Sequence, residues 1–279
     1  MVATCLAIMF PVLRIPITTA SRNYEAVIEH GLLARAGGIL REVFSGTPPV
    51  FVITVPPVRR RWGKTLLRSL TGVGFTPKII EMRDGERFKR LSSVENLAED
   101  LLRLGADRKA IIVAFGGGVV GDVAGMLASV YMRGVQLVQI PTTVQAQVDA
   151  AIGGKTGVNL KSGKNLLGTF YQPAVVLIDP ATLSTLPDRE FRAGMYEALK
   201  CGVIGNAGLF IRLERCSIKS LRKDRELLID AIAESVKLKA QVVSADEKEG
   251  GLRRVLNLKQ WDLRPYSRCQ SGLGKTAVR

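Results

Sequence analysis

A run of glycines follows an apolar, β-branched stretch in the middle of the chain. Residues 115–122 read FGGGVVGD, and helix-like sequence continues beyond them. Glycines at such a point let backbone N–H groups approach a pyrophosphate, and the N-terminus of a helix favours negative charge. The run is not a G-x-G-x-x-G fingerprint, and a glycine triplet after a strand is at least as often only a tight turn. It indicates a phosphate-binding turn only in combination with other residues.

Cations and amides follow the glycine run: Arg133, Lys155, Lys161, Lys164 and Asn165. Lys155 and Lys164 stand among glycines rather than on a helix face. Fixed ammonium groups beside flexible backbone suit phosphate and carboxylate ligands. A solvated loop is the alternative interpretation.

Two further features bear on acid–base and metal chemistry. Glu197 and Lys200 are three residues apart and share a helix face, for which a surface ion pair is the simplest interpretation. The chain has one histidine, His30, so a mechanism that needs two histidines is excluded. Residues 271–276 (SGLGKT) imitate the end of a P-loop, but Cys269 stands where its first glycine belongs and no strand is predicted before it.

The elements that must position these residues alternate in type through the first two thirds of the chain. Strands are predicted at residues 50–55, 77–82, 109–115, 135–140 and 174–178. A helix with Ser92 and Glu95 as its capping box is predicted at 92–104, and a helix-like run leads to Met132. This alternation predicts a parallel α/β sheet, whose ligands bind beyond the carboxyl ends of its strands.

Strand signals vanish beyond Asp179-Pro180. Helices are predicted at residues 188–204, 209–213 and 225–243. We therefore place a domain boundary near residue 180, with an all-α region after it.

Composition narrows the class of protein. The 279 residues include 40 Lys and Arg against 25 Asp and Glu, a net charge of +15. Nucleic-acid binding would suit this charge, but only residues 58–64 (VRRRWGK) are densely basic, so an enzyme for anionic substrates is favoured. No apolar run approaches the ~20 residues of a membrane span. Four cysteines without a C-x-x-C pair indicate reduced thiols in a cytoplasmic protein, and residues 1–10 an extension or a first strand.

In order along the chain, a series of motifs resembles the 3-dehydroquinate synthase family, within the sugar-phosphate cyclase superfamily. The matching stretches are SRNYEAVIEHGLL at 21–33, DGERFK at 84–89, GGGVVGDVAG at 116–125, YMRG at 131–134, IPTTVQAQVDAAIGGKTGVN at 140–159, KNLLGTFYQP at 164–173, IDPATLSTLP at 178–187, YEALKCGVI at 196–204 and LRRVLNL at 252–258. The resemblance covers residues 21–258.

The resemblance implies an α/β NAD-binding domain with a parallel sheet at residues 1–180 and an all-α metal-binding domain at 181–258. It implies a lyase of the shikimate pathway of aromatic amino acid biosynthesis, which converts 3-deoxy-D-arabino-heptulosonate 7-phosphate into 3-dehydroquinate and phosphate. NAD and a zinc or cobalt ion are the implied cofactors. A homodimer is left open as the assembly, and neither nucleic acid nor a membrane is expected as a partner.

The resemblance also implies roles for individual residues. Residues expected to meet the substrate are Arg133, Asp149, Lys155, Lys164, Asn165, Lys200, Lys239, Arg253 and Asn257. Residues expected to bind NAD are Asp84, Gly85, Glu86, Arg87, Phe88, Lys89, Gly118, Val119, Val120, Gly121, Asp122, Thr142, Thr143, Thr182, Leu183, Ser184 and Thr185, together with Lys155 and Lys164. Glu197 is the implied metal ligand.

The chain departs from the family pattern at two places. The first nucleotide strand usually ends in a polar residue that can hold ribose, whereas here it ends in Thr54-Val55-Pro56-Pro57. After Leu258, a G-H-T-x-G-H-A motif is replaced by residues 259–279, which contain no histidine. Zinc-type catalytic sites need about three protein ligands. A truncated or frame-shifted member with impaired activity and weak metal retention is therefore expected. Another NAD-dependent sugar-phosphate cyclase, a glycerol-dehydrogenase-like enzyme and a non-catalytic NAD-binding protein are the alternatives.

Overall fold

A computed structural model describes residues 12–257 of the chain, so the expectations for residues 1–10 and for the tail beyond Leu258 lie outside it. Seven strands form the main sheet in the order β1-β2-β9-β6-β5-β3-β4. These strands are β1 (Leu13–Thr18), β2 (Asn23–Ile28), β3 (Val50–Thr54), β4 (Pro77–Glu81), β5 (Ile111–Gly116), β6 (Gln136–Pro141) and β9 (Val175–Ile178). All five predicted strands are confirmed.

The predicted parallel sheet is confirmed except at one edge, where β1 and β2 pair antiparallel. Every residue of β3, β5 and β9 is buried, as expected for parallel strands that are covered on both faces. Because neighbouring strands run in the same direction, Thr54, Phe115 and Ile140 lie side by side near one edge. The loops that follow these strands therefore meet.

Helices cover the sheet and extend beyond its last strand. They are α1 (Ala36–Val43), α2 (Pro56–Val58), α3 (Lys64–Thr71), α4 (Leu91–Arg103), α5 (Gly118–Val130), α6 (Asp188–Gly205), α7 (Ala207–Glu214), α8 (Ile218–Lys223) and α9 (Arg225–Ala245). The predicted helices of residues 188–243 are confirmed, and none of the helices in residues 12–257 is long and apolar enough to cross a membrane.

The predicted capping box of α4 is wrong. The helix begins one residue earlier than expected, at Leu91, and its N-cap residue, Arg90, makes no side-chain capping bond. Ser92 therefore lies inside the first turn. Ser93 Oγ instead donates to the Phe88 carbonyl at 2.7 Å, which fastens the helix start to the preceding loop.

Residues 155–170 form a hairpin where the sequence indicated only a cation-rich loop. Its strands are β7 (Lys155–Leu160) and β8 (Gly163–Phe170), paired antiparallel and separate from the main sheet. The hairpin packs on α5, and a Cβ added at Gly125 of α5 would lie 2.6 Å from Thr156 Cγ2. Gly125 thus permits the close approach that places Lys155 beside the carboxyl edge of the sheet.

The helices after residue 180 pack against one end of the sheet. Side chains of α6, α7, α8 and α9 share a buried apolar cluster with those of β1, β2 and β9. A second cluster packs α4 and α5 on one face, and a third packs α1 and α3 on the other. The domain boundary near residue 180 stays a prediction.

Shorter helical turns complete the chain. Those of 3-10 type are Leu32–Ala34, Glu86–Phe88, Tyr131–Arg133, Pro180–Thr185 and Leu252–Asn257, and those of π type are Arg59–Gly63 and Ala146–Ala150.

Candidate functional site

The glycine turn lies between β5 and α5, at the carboxyl edge of the sheet. Gly117 is the N-cap residue of α5 and offers no side-chain capping bond to the first turn of this 13-residue helix. Gly116 pairs with Pro141, and its carbonyl accepts from Thr142 N at 2.9 Å. The turn therefore lies against residues 141–143, the second stretch that the sequence singled out.

Behind the turn, Lys89 joins three elements. Its ammonium group donates to Asp122 Oδ2 of α5 and to Asn165 Oδ1 of the hairpin. Lys89 is buried, and burial raises the pKa of Asp122, although the nearby charge of Lys89 opposes this shift. The predicted cofactor residues Lys89 and Asp122 and the predicted substrate residue Asn165 are thus in direct contact.

The DGERFK segment reaches the same network from its other end. Glu86 Oε1 accepts from Asn159 Nδ2 at 2.8 Å, and Asn159 Oδ1 accepts from the Asn165 backbone N–H at 2.8 Å. Asp84 and Arg87 are exposed, and the Arg87 guanidinium lies 4.7 Å from the centre of the Phe88 ring. Asn159 was missed as a site residue, although the resemblance included it at the end of the motif at 140–159.

A second network surrounds Asp149, which lies in the π-helical turn Ala146–Ala150. Lys239 of α9 donates to both the carboxylate and the backbone carbonyl of Asp149. Burial opposes ionisation of Asp149, but Lys239, with Lys200 and Lys155 further away, outweighs burial and lowers the pKa of Asp149. Four of the residues predicted to meet the substrate therefore act on one another electrostatically.

Glu197 and Lys200 form an ion pair on α6, but the pair is not a surface feature. Lys200 donates to Glu197 Oε2, and its side chain is buried. The interpretation as a surface ion pair is wrong because α6 turns this face towards the Asp149 network.

Residues of the last 3-10 turn, Leu252–Asn257, and of the loop before it contact the segment that carries Lys155. Arg253, 1% exposed, donates to the carbonyls of Gly153 at 2.8 Å and Glu247 at 2.6 Å. Glu249 accepts from Lys155 at 2.6 Å and from Asn257 at 2.9 Å. Glu249 was missed, since nothing in its local sequence marks it as the partner of Lys155.

Two predicted substrate residues lie further out. Lys164 has a side chain that is 75% exposed and lies 3.8 Å from Glu86 Oε1, on the side of the cofactor residues. Arg133 is exposed at a positive φ of 70°, and its side chain makes no hydrogen bond or ion pair with the described residues. The geometry of the described residues therefore groups Lys164 with Glu86 and leaves Arg133 apart.

The hydroxyl groups of the turn Pro180–Thr185 donate hydrogen bonds to nearby backbone carbonyls. Thr182, Ser184 and Thr185 each donate to the carbonyl three residues earlier. Leu183 is buried in the core. The turn can therefore offer a ligand its backbone and oxygen lone pairs more readily than free hydroxyl donors.

The described residues do not form a metal site on their own. Glu197 is the implied ligand, yet among residues 12–257 no group of three or more His, Cys, Asp or Glu side chains could hold a metal ion. His30 lies near Asp179, at the carboxyl ends of β2 and β9, and does not complete such a group. Of the cysteines, Cys201 and Cys216 are free thiols, and Cys5 and Cys269 lie outside the described residues.

Comparisons with known proteins match nearly the whole described chain. Residues 79–193 match the model described as 3-dehydroquinate synthase N-terminal, and residues 194–259 match its C-terminal counterpart. A curated 3-dehydroquinate synthase from Koribacter versatilis is 55% identical over 244 residues, which is 88% of this chain and 67% of that protein. The chain thus spans about two thirds of the length of this relative.

Two solved structures share the fold. 2-Deoxy-scyllo-inosose synthase, complexed with carbaglucose-6-phosphate, NAD+ and Co2+, has a TM-score of 0.78 at 28% identity and covers 88% of this chain and 66% of its own. 2-Epi-5-epi-valiolone synthase from Streptomyces hygroscopicus, with NAD+ and Zn2+ bound, has a TM-score of 0.75 at 31% identity and covers 84% of this chain and 65% of its own.

Proposed function

The chain belongs to the 3-dehydroquinate synthase family, and we propose that the charged residues around its glycine turn and Asp149 bind NAD and 3-deoxy-D-arabino-heptulosonate 7-phosphate for the phosphate-eliminating ring closure that this family performs. One observation carries the proposal. Lys155, Lys200, Lys239 and Arg253 belong to four different elements, yet all four lie close enough to Asp149 for their charges to interact. Lys200, Lys239 and Arg253 are buried and Lys155 is exposed, and a cationic cluster of this kind suits a substrate that carries a phosphate and a carboxylate.

The donor set at the glycine turn fits a dinucleotide. The first turn of α5 has no side-chain cap, and a Cβ added at Gly118 would meet only Ala150, at 3.5 Å. Because Gly118 has no side chain, its backbone can approach a pyrophosphate at the helix N-terminus closely. The resemblance implies that Glu86 and Lys89 hold the adenosine end of NAD. NAD would supply reversible oxidation of one ring hydroxyl of the substrate.

The chain's own residues would bind and orient the substrate. Lys200 and Lys239 neutralise anionic groups, and Arg253 fixes the loop at Gly153 from which Lys155 extends. Asp149, whose pKa is lowered, is ionised near neutral pH and can accept hydrogen bonds from substrate hydroxyls. A phosphate that reaches Lys155 would replace Glu249 as its partner and lower the cost of phosphate departure.

No step is assigned to a metal ion, because the described residues provide Glu197 alone. Weak metal retention and impaired turnover of the 279-residue chain stay predictions. Elemental analysis and a phosphate-release assay with the heptulosonate phosphate would test them.

A related sugar-phosphate cyclase activity is the second candidate. The structure at a TM-score of 0.78 holds a carbocyclic hexose phosphate, so the fold accommodates more than one sugar phosphate. Sequence identity favours the quinate-forming activity, at 55% against 28%. Binding measured side by side with a carbocyclic heptulosonate phosphonate and with carbaglucose-6-phosphate would separate the two.

Replacing Lys155 with alanine should weaken binding of the carbocyclic heptulosonate phosphonate about tenfold. One charge-assisted contact is worth about 1.5–3 kcal/mol, and the low end applies because the Lys155 side chain is 45% exposed. Isothermal titration calorimetry measures the change. Lys219→Ala, an exposed lysine of α8, is the control and should bind as the parent does. Equal affinities of parent and Lys155→Ala would remove Lys155 from the site.

Replacing Gly118 with valine should weaken NAD binding at least tenfold. The isopropyl group would stand where the backbone must approach the pyrophosphate, while the protein interior leaves room for the new Cβ. Titration with NAD measures the affinity. Gly208→Val places the same side chain in the first turn of α7, which is not among the predicted site residues, and should leave the affinity unchanged. No detectable NAD binding by the folded parent would overturn the proposed cofactor site.

A further inference from the structure

Two glycines in the left-handed backbone conformation precede Lys155. Gly153 has a φ of +90° and Gly154 has a φ of +65°. Arg253 Nη2 donates to the Gly153 carbonyl at 2.8 Å. Gln172 packs against Gly154, where an added Cβ would lie 2.7 Å from Gln172 Cδ. Because glycine can adopt many backbone conformations, these two neighbouring side chains restrict the backbone from which Lys155 extends.

Both neighbouring side chains bind Glu247, which lies in the loop between α9 and the last 3-10 turn. Arg253 Nη1 donates to the Glu247 carbonyl at 2.6 Å, and Gln172 Nε2 donates to Glu247 Oε1 at 2.9 Å. Gln172 is 4% exposed, and its Oε1 has no hydrogen-bond partner in the described part of the chain. The orientation of the Gln172 amide therefore depends on Glu247.

The carboxylate of Glu247 is fixed by the turn between β1 and β2. Ser21 donates to it from its backbone N–H, at 3.2 Å, and from its hydroxyl group, and Thr19 contributes a further side-chain hydrogen bond. Burial opposes ionisation of Glu247, but these donors and Gln172 outweigh burial and lower the pKa of Glu247. Hydrogen bonds to an ionised group are about twice as strong as neutral ones, so Glu247 is a firm anchor for its partners.

We propose that Glu247 is a positioning residue for the anion-binding ammonium group of Lys155. Glu247 fixes Arg253 and Gln172, and these two side chains hold the two glycines that precede Lys155. Glu247 acts through these residues, since the ion-pair partner of Lys155 is Glu249. This proposal rests on the proposed function, in which Lys155 receives the phosphate group of the substrate.

Removing the charge of Glu247 should weaken binding of the carbocyclic heptulosonate phosphonate. Glu247→Gln keeps the size of the side chain, and its loss of affinity should be about three- to tenfold, at most the loss expected for removing Lys155 itself. In the Lys155→Ala background, Glu247→Gln should cause no further loss, because the group that it positions is gone. A role confined to general stability would instead give additive losses.

Two further variants separate this role from a folding defect. Gln172→Met keeps the length of the side chain and removes the donor to Glu247, so it should weaken binding in the parent but not in the Lys155→Ala background. Glu25→Gln is the matched control, since Glu25 of β2 pairs with the exposed Arg14 at 3.1 Å, and it should leave the affinity unchanged. The melting temperature of each variant reports folding, and Gln172→Met decides the question should Glu247→Gln not fold.

Calorimetric titration of the full chain with the phosphonate gives these affinities. Additive losses of Glu247→Gln and Lys155→Ala, or parental affinity in a folded Glu247→Gln, would overturn the positioning role. Parental affinity in Lys155→Ala, or a folded parent that does not bind the phosphonate, would overturn the proposed function as well.

Discussion

Replacing Lys239 with methionine should lower the free energy of unfolding by about 2–3 kcal/mol. Lys239 belongs to α9 and is buried, and its ammonium group is the main partner of Asp149. Removing one partner of a buried ion pair costs about 3–5 kcal/mol because the other charge stays behind. The estimate is lower here, since the Asp149 side chain is 34% exposed and water can partly solvate it. Urea denaturation at neutral pH measures the loss.

Asp149→Asn in the same background identifies the cause. The double variant removes the stranded charge and should recover much of the stability that Lys239→Met loses. Lys237→Met is the matched control: Lys237 also lies on α9 and pairs with Glu234 at 2.7 Å, but its side chain is 52% exposed. The control should lose less than about 1 kcal/mol. Equal losses in Lys239→Met and Lys237→Met would contradict the electrostatic account.

The loss of stability in Lys239→Met should depend on pH. The pKa of Asp149 is lowered in the folded protein, so ionised Asp149 stabilises the fold above the pKa of an unfolded aspartate. This contribution disappears as the pH falls through the lowered pKa. The stability of the parent and of Lys239→Met should therefore converge below about pH 4.

The buried strands could be predicted from the sequence because a strand that is buried on both faces consists of an unbroken run of apolar residues. β3 and β5 are runs of apolar, mostly β-branched residues without a polar face. The β7–β8 hairpin has no such apolar run. Its residues alternate with glycines and lysines, and it is stabilised by packing on α5 through Gly125, a contact between distant parts of the chain.

The candidate site shows the same division. The residues around the glycine turn were identified locally, since a strand, a turn and a helix N-terminus are consecutive in the sequence. The roles of Lys155 and Lys239 came from the resemblance, but their partners could not be predicted. Asp149 and Lys239 are 90 residues apart, and Glu249 meets Lys155 only because the last 3-10 turn folds back over the hairpin.

Gly153 lies where the last 3-10 turn contacts the segment that carries Lys155, and its backbone is held from two sides. Its backbone N–H donates to Tyr24 Oη at 3.0 Å, and its carbonyl accepts from Arg253 at 2.8 Å. The residue has a φ of +90°, which side chains other than glycine rarely adopt. A Cβ added here would lie 2.4 Å from Arg253 Nη2 and 2.6 Å from Val243 Cγ2.

Gly153→Ala should therefore lower the free energy of unfolding by about 3 kcal/mol or more, since backbone strain and overpacking each cost about 1–3 kcal/mol. Urea denaturation measures the loss, and Gly38→Ala is the control. Gly38 lies inside α1 with no atom within 4 Å of an added Cβ, so alanine there should stabilise the protein by up to about 1 kcal/mol.

The clash at Gly153 should also displace the Arg253 guanidinium from the loop that carries Lys155. Binding of the carbocyclic phosphonate should consequently weaken in Gly153→Ala even below its unfolding midpoint, and unchanged stability with unchanged binding would show that this junction can relax.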